Sequence, residues 1–178
     1  MIPYGGKELA NGFRTVRKNT IQVAEDIPEA QYQFVAAPEV KSVAAMLTHV
    51  AVVTGFWDEI HRKQRLTTMA GFDSAPLLER VQTDEAKQRS KTEIIDLLRS
   101  RGDDFAAWLE TLTPDFLAEM VTERDGSQKS RFEFLLGAKE HEMHHRAQLM
   151  LIERQLGIVP HLTRRRNEMM AQMRAAKA

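Results

Sequence analysis

Three of the chain's six histidines fall within His141-Glu142-Met143-His144-His145. An α-helix turns about 100° per residue, so His141 and His145 stand about 40° apart on the wheel and one turn apart along the axis. Two imidazoles so spaced converge in front of one helix face, as paired histidine ligands do in zinc-binding helices. Phe134, Ala138, Leu149, Ile152 and Gln148 share that face, which predicts that the pair points into a core. His144 lies on the other flank, about 60° from His141. It is an alternative second ligand, although His141 and His145 sit nearer the centre of the apolar stripe.

His49 is the third candidate. It sits among Ala45, Met46, Val52, Val53 and Phe56. A solitary histidine on an apolar face is ordinarily a hydrogen-bonded core residue. Opposite an inward pair the balance changes. Three unpartnered interior imidazoles are costly to desolvate, and one divalent cation satisfies all three as neutral ligands. The competing readings are a polar core network or an exposed face of the last long helix. The chain has no cysteine, which removes disulfide scaffolds, cysteine nucleophiles, iron–sulfur clusters and thiolate zinc sites. A metal would have to be held by His, Asp or Glu.

The elements that must position these residues are helical. Pro3, Pro28, Pro38, Pro76, Pro114 and Pro160 punctuate the chain. The spacing of Leu9, Phe13, Val16, Thr20 and Val23 predicts a helix from about Gly6 to Asp26. A second runs from about Ser42 to Gln64, with Ala45, Met46, Val52, Val53, Phe56 and Ile60 inward. Arg65 to Arg89 reads as a long crossover holding a short helix, Leu77 to Val81. Ser90-Lys91-Thr92-Glu93 and Ser130-Arg131-Phe132-Glu133 are capping boxes that open the third and fourth long helices. The third carries Ile94, Leu98, Phe105, Leu109 and Leu112 on one stripe. A short element spans about Pro114 to Val121, and Asp125-Gly126 signals a small hairpin. The fourth helix ends near Leu156, with Gly157 and Ile158 placed for a Schellman motif. The whole reads as one all-α domain, an antiparallel four-helix bundle over about 6–156 with long crossovers. A C-terminal helix over about 163–178 extends it.

The second-helix pattern Ala44-Ala45-Met46-Leu47-Thr48-His49, together with His141-Glu142-Met143-His144-His145-Arg146-Ala147-Gln148, resembles the DinB-like family, also called YfiT-like, of four-helix metalloproteins. The family motifs are small-x-x-Leu-x-His and His-x-x-x-His-Arg-Gly-Gln. The likeness spans about Gly6 to Leu156 and departs at Ala147, where the family has glycine. It selects His145 over His144 and implies one divalent metal ion, nickel or zinc, on His49, His141 and His145 with solvent completing the shell. Some relatives transfer low-molecular-weight thiols. Such a site keeps an open position, as catalytic zinc does, and lowers the pKa of a bound thiol or water. Without cysteine in the chain, the thiol would come from a cosubstrate.

The resemblance therefore implies a metal-dependent enzyme that transfers a small thiol to an electrophile, with Gln148 a candidate substrate or ligand hydrogen bonder. A hydrolase of a small molecule is the alternative, although no carboxylate stands out beside the three histidines. A non-catalytic metal-binding or interaction bundle is the third reading. Lys plus Arg and Asp plus Glu are 25 each, so no general charge draws the chain to nucleic acid. No long apolar segment or signal sequence stands out, and the expected address is the cytoplasm. His61 and His161 are expected to face solvent, and Trp57 and Trp108 to lie in a core or interface. Arg101 is expected to snorkel, with an anion-binding role as the alternative. Arg164-Arg165-Arg166 reads as a solvated helix end. Interior Gly12, Gly55, Gly102 and Gly137 suggest close helix packing. Met169, Met170 and Met173 suggest a face for a second subunit, and a homodimer is expected.

Overall fold

Side-chain caps set where the long helices start. In this computed structural model, which describes residues 4–177, α1 spans Gly6–Asp26. The Ser42 hydroxyl accepts from the Ala45 amide and opens α2 (Val43–Val52). The same helical path continues through α3 (Thr54–Trp57) and a π-helical turn, Asp58–Lys63. The single helix expected here is interrupted around Val52-Val53-Thr54-Gly55, a β-branched run followed by glycine, both poor helix formers. The wide turn lets consecutive residues Ile60 and His61 both be buried. Next comes α4 (Ala75–Glu85), longer than the Leu77–Val81 expected.

Ser90 with Glu93 opens α5 (Lys91–Glu110), and Ser130 with Glu133 opens α7 (Arg131–Gln155); both reciprocal capping boxes are formed. Between them lie α6 (Pro114–Ala118) and a hairpin, β1 (Met120–Thr122) with β2 (Gln128–Ser130), in the register Val121 to Lys129. Gly157 adopts φ 77°. Its N–H donates to Arg154 O and that of Ile158 to Glu153 O, at 3.1 and 2.8 Å, which is the Schellman pattern. Finally α8 spans His161–Ala175, its Met169, Met170 and Met173 exposed.

The four-helix bundle pairs its members out of chain order. Helix α1 packs on α5 and α7, and α2 packs on α5, α4 and α7. Helices α1 and α2 therefore sit diagonally, as do α5 and α7, while α2 and α5 are neighbours; the long connections permit this. Gly6 against Leu109 shows that α1 and α5 run oppositely. His49 against His141 and Trp57 against Phe134 show the same for α2 and α7. Val50 and Leu98 meet across α2 and α5, which run the same way. One core joins Val23, Ile27, Val43, Leu47, Val50, Leu98, Leu149 and Ile152. A second joins Leu9, Phe13, Phe105, Leu109 and Leu135 towards the other end.

Arg17 and Glu142 are buried between these cores. Arg17 Nε reaches both Glu142 oxygens at 3.1 and 3.0 Å, and its remaining nitrogens reach Leu98 O and Val50 O. One guanidinium thus ties four helices together. A Cβ at Gly102 would stand 2.8 Å from Arg17 Cγ, so glycine makes room for its stem. Close packing does not extend to Gly55, where a Cβ would meet open space.

Val43–Lys63 is long and apolar enough by composition to cross a membrane, with a mean hydropathy of 1.2, although no such segment was expected. Half of its apolar window is buried against the other helices.

Candidate metal centre

Helix α2 brings His49 to the groove it shares with α7. There it meets His141 and His145, one turn apart on α7. His141 Nε2 lies 3.2 Å from His49 Nε2 and 3.3 Å from His145 Nε2. One nitrogen from each ring falls within 4.8 Å of the others. Ligands about 2.0–2.1 Å from one tetrahedral zinc are about 3.3 to 3.4 Å apart, so the donor set has a fitting size. His144 is exposed. The structure brings together the three histidines selected above and leaves His144 outside.

The outer ring nitrogens show which way the inner ones face. Glu85 Oε1 accepts from His49 Nδ1 at 2.5 Å, and Gln148 Oε1 accepts from His145 Nδ1 at 2.8 Å. An imidazole that donates from Nδ1 keeps a lone pair on Nε2, and here those lone pairs face one another. Lone pairs at such distances repel unless a cation or proton lies between them. Such outer partners fix tautomer and orientation in metal sites.

Electrostatics favours neutral rings at His141 and His145. Burial, and then His145 and His49, push His141 down to about 4. Burial also lowers His145, against the opposing hydrogen bond of Gln148. At Glu85 burial acts upward, but hydrogen bonds from Lys41 and His49 outweigh it and hold the carboxyl below its ordinary range. Lys41 Nζ reaches Glu85 Oε2 at 2.6 Å.

A family model described as the DinB superfamily matches residues 13–149. The chain belongs to the DinB superfamily. Among curated proteins none matches. Three of the solved structures that share this fold illustrate it. The DinB-like protein YjoA of Bacillus subtilis is 20% identical with TM-score 0.62, over 84% of this chain and 92% of its own. YfiT of the same organism is described as a probable metal-dependent hydrolase with an unusual four-helix bundle topology. It is 15% identical with TM-score 0.65, over 86% and 88%. An uncharacterized protein of Clostridium difficile 630 is 15% identical with TM-score 0.64, over 86% and 98%.

Several expectations for this DinB chain are corrected. Glu85 does stand beside the three histidines. It comes from the crossover, and its signal was the Leu77, Val81, Glu85 spacing, which carries one helix face past the end assigned to it. His61 does not face solvent: it is 1% exposed, and its Nδ1 meets Arg131 Nη1 at 3.2 Å. Arg131 is itself buried and holds Glu119 through two nitrogens. His161 is half-buried, its Nε2 3.2 Å from Asn19 Oδ1. Gln148 touches His145, so its position is that of a ring-orienting group. Arg101 is exposed and borders a cleft with Glu59 and Arg80, away from the histidines. Trp57 and Trp108 pack on the second core.

Proposed function

We propose that His49, His141 and His145 bind one divalent metal ion, nickel or zinc. We further propose that the protein uses it to transfer a small thiol to an electrophile in the cytoplasm. The observation that carries this is the meeting of three Nε2 atoms whose outer nitrogens, on two rings, are held by Glu85 and Gln148. A divalent ion held by three neutral ligands supplies positive charge that makes a coordinated thiol or water more acidic. Glu85 keeps His49 in register, and Gln148 does so for His145. Trp57 packs its ring 5.8 Å from that of His141 and shields one side of the site. The sulfur has to come from outside, because the chain has no cysteine.

Hydrolysis is the second reading, favoured by the description of YfiT. Glu85 is the carboxylate beside the histidines, and it is engaged by His49 and Lys41. That leaves no free carboxylate among the described residues hydrogen-bonded to the three rings, and the base left for hydrolysis is the exposed His144, whose ring lies 5.1 Å from that of His145. A thiol, with a pKa near 8.5, depends less on such a base than water does. The exposed Met169, Met170 and Met173 are what a second copy of the chain would cover in the homodimer that belongs to this proposal. A one-chain mass by light scattering would remove the dimer.

The test is protein purified without a histidine tag, analysed for metal, then loaded with zinc or nickel and offered several small thiols with a chlorobimane. Turnover above free metal that His145→Ala abolishes supports transfer. No turnover with any thiol would move the assignment to hydrolysis or to binding alone.

A further inference from the structure

The three histidines meet across the sparsest side of the bundle. Helices α2 and α7 touch each other far less than α1 touches α5 and α7, or α2 touches α5. Packing between α2 and α7 therefore does little to fix their separation or register. A metal site nonetheless needs its ligands held to within about 0.5 Å. The 3.2 Å between His49 Nε2 and His141 Nε2 has to be set from elsewhere in the fold.

The residues that follow the three histidines show from where. Adjacent residues on a helix point about 100° apart, so on α7 the ligands face the groove and their successors face α1. Val50 follows His49, Glu142 follows His141 and Arg146 follows His145. All three are tied to one dipeptide of α1, Val16-Arg17. Arg17 Nη2 donates to Val50 O at 3.2 Å and lies 2.9 Å from Glu142 Oε2. Arg17 Nε is shared by both Glu142 oxygens. Arg146 Nη1 donates to Val16 O at 3.5 Å, the longest of these contacts.

The tie is stiff. A guanidinium is a planar fork of donors, and its bonds to a carboxylate are about twice as strong as neutral ones. Arg17 is 4% and Glu142 2% exposed, so water does not compete. The Arg17 stem lies against Gly102, and Nη1 holds Leu98 O at 2.8 Å, which anchors the fork to α5.

We propose that Arg17 is a positioning residue of the metal centre. By holding Glu142 and Val50 it sets the spacing and register of α7 and α2, and so the separation of the three Nε2 atoms. This rests on the metal-binding part of the function proposed above and not on thiol transfer. Charge and geometry predict opposite signs for its removal. Arg17 is a cation near a site for a cation, so by charge alone its loss would tighten metal binding. Loss of the clamp weakens it.

The experiment titrates zinc by chelator competition, and cobalt(II) by its visible absorption, into the full chain and its variants, each folded by circular dichroism. Arg17→Ala should weaken zinc binding at least about tenfold, the loss typical of groups that orient ligands. Arg17→Met with Glu142→Leu removes the clamp without changing net charge and keeps the fold as an apolar pair. It should show the same loss and an altered cobalt spectrum. Leu109→Ala, in the second core, loses comparable stability and should keep the parent spectrum and an affinity within about twofold. Parental affinity and spectrum in the double variant overturn the proposal. An equal loss in Leu109→Ala overturns it too, because the effect would then be one of stability alone. Should Arg17→Ala not fold, the double variant decides. A parent chain that binds neither ion removes the metal reading and this proposal with it, whereas a parent that binds no better than the double variant removes this proposal alone.

Discussion

Glu85 Oε1 lies 2.5 Å from His49 Nδ1, and the same carboxylate holds Lys41 through its other oxygen. The contact joins α4, in the crossover, to the middle of α2. It orients the one histidine that does not share a helix with another. Outer partners of this kind are worth about 10- to 100-fold in metal affinity. Glu85→Ala should therefore weaken zinc binding by about that factor while keeping one ion per chain, as read by chelator competition. An unchanged affinity would show that Glu85 only ties α4 to the bundle.

The choice between His144 and His145 gives a sharper contrast. His145→Ala removes one of three converging nitrogens and should abolish stoichiometric metal binding. His144→Ala alters an exposed ring and should leave both stoichiometry and affinity within about twofold. Metal analysis after gel filtration distinguishes them, and equal loss in both variants would defeat the three-histidine assignment.

Much of this arrangement is legible in the sequence because it is periodic. Leu9, Phe13, Val16, Thr20 and Val23 follow one helical stripe and are all buried. The capping serines fall where the reciprocal boxes form, and His141 and His145 converge because i,i+4 spacing requires it. What periodicity does not show is long-range polar pairing. Arg17 lies one residue beyond Val16 and looks like an ordinary flank position, yet it is buried because Glu142 and two carbonyls receive it. His61 looks like an exposed helix end until the π-helical turn rotates it inward and Arg131 closes over it. Glu85 is hidden in a stretch whose polar composition masks its helix.

Arg17 and Glu142 give a stability prediction. Removing one partner of a buried pair leaves an uncompensated charge, at about 3 to 5 kcal/mol. Arg17→Ala should lower the unfolding free energy extrapolated from denaturant melts by that amount. The double variant Arg17→Met with Glu142→Leu should recover most of it, since an apolar pair of similar volume is often neutral or stabilising. A double variant as unstable as the single one would show that the bonds to Leu98 O and Val50 O matter more than the charge pair.

Glu153 sets a pH dependence of opposite sign to that of a paired carboxylate. Neither of its carboxylate oxygens has a partner among the described residues, in a buried region bounded by Asp26 on α1, Arg154 on α7 and Arg164 on α8. Burial, and then Asp26, raise it from 4.5 to about 7, against the pull of Arg164 and Arg154. Between these values the folded chain holds a proton that the unfolded chain has lost, so stability falls as pH rises through that window. The contribution is fully present below pH 4.5, is lost towards pH 7 and is constant above it. A shift of this size corresponds to at most about 3 kcal/mol. Glu153→Gln keeps the shape and removes the titration. It should be more stable than the parent at pH 8 and nearly equal to it at pH 4.5, where metal-free protein avoids any contribution from the histidine site. Urea midpoints of both proteins at the two pH values measure this, and a pH-independent difference between them would mean that Glu153 is not protonated in the folded chain.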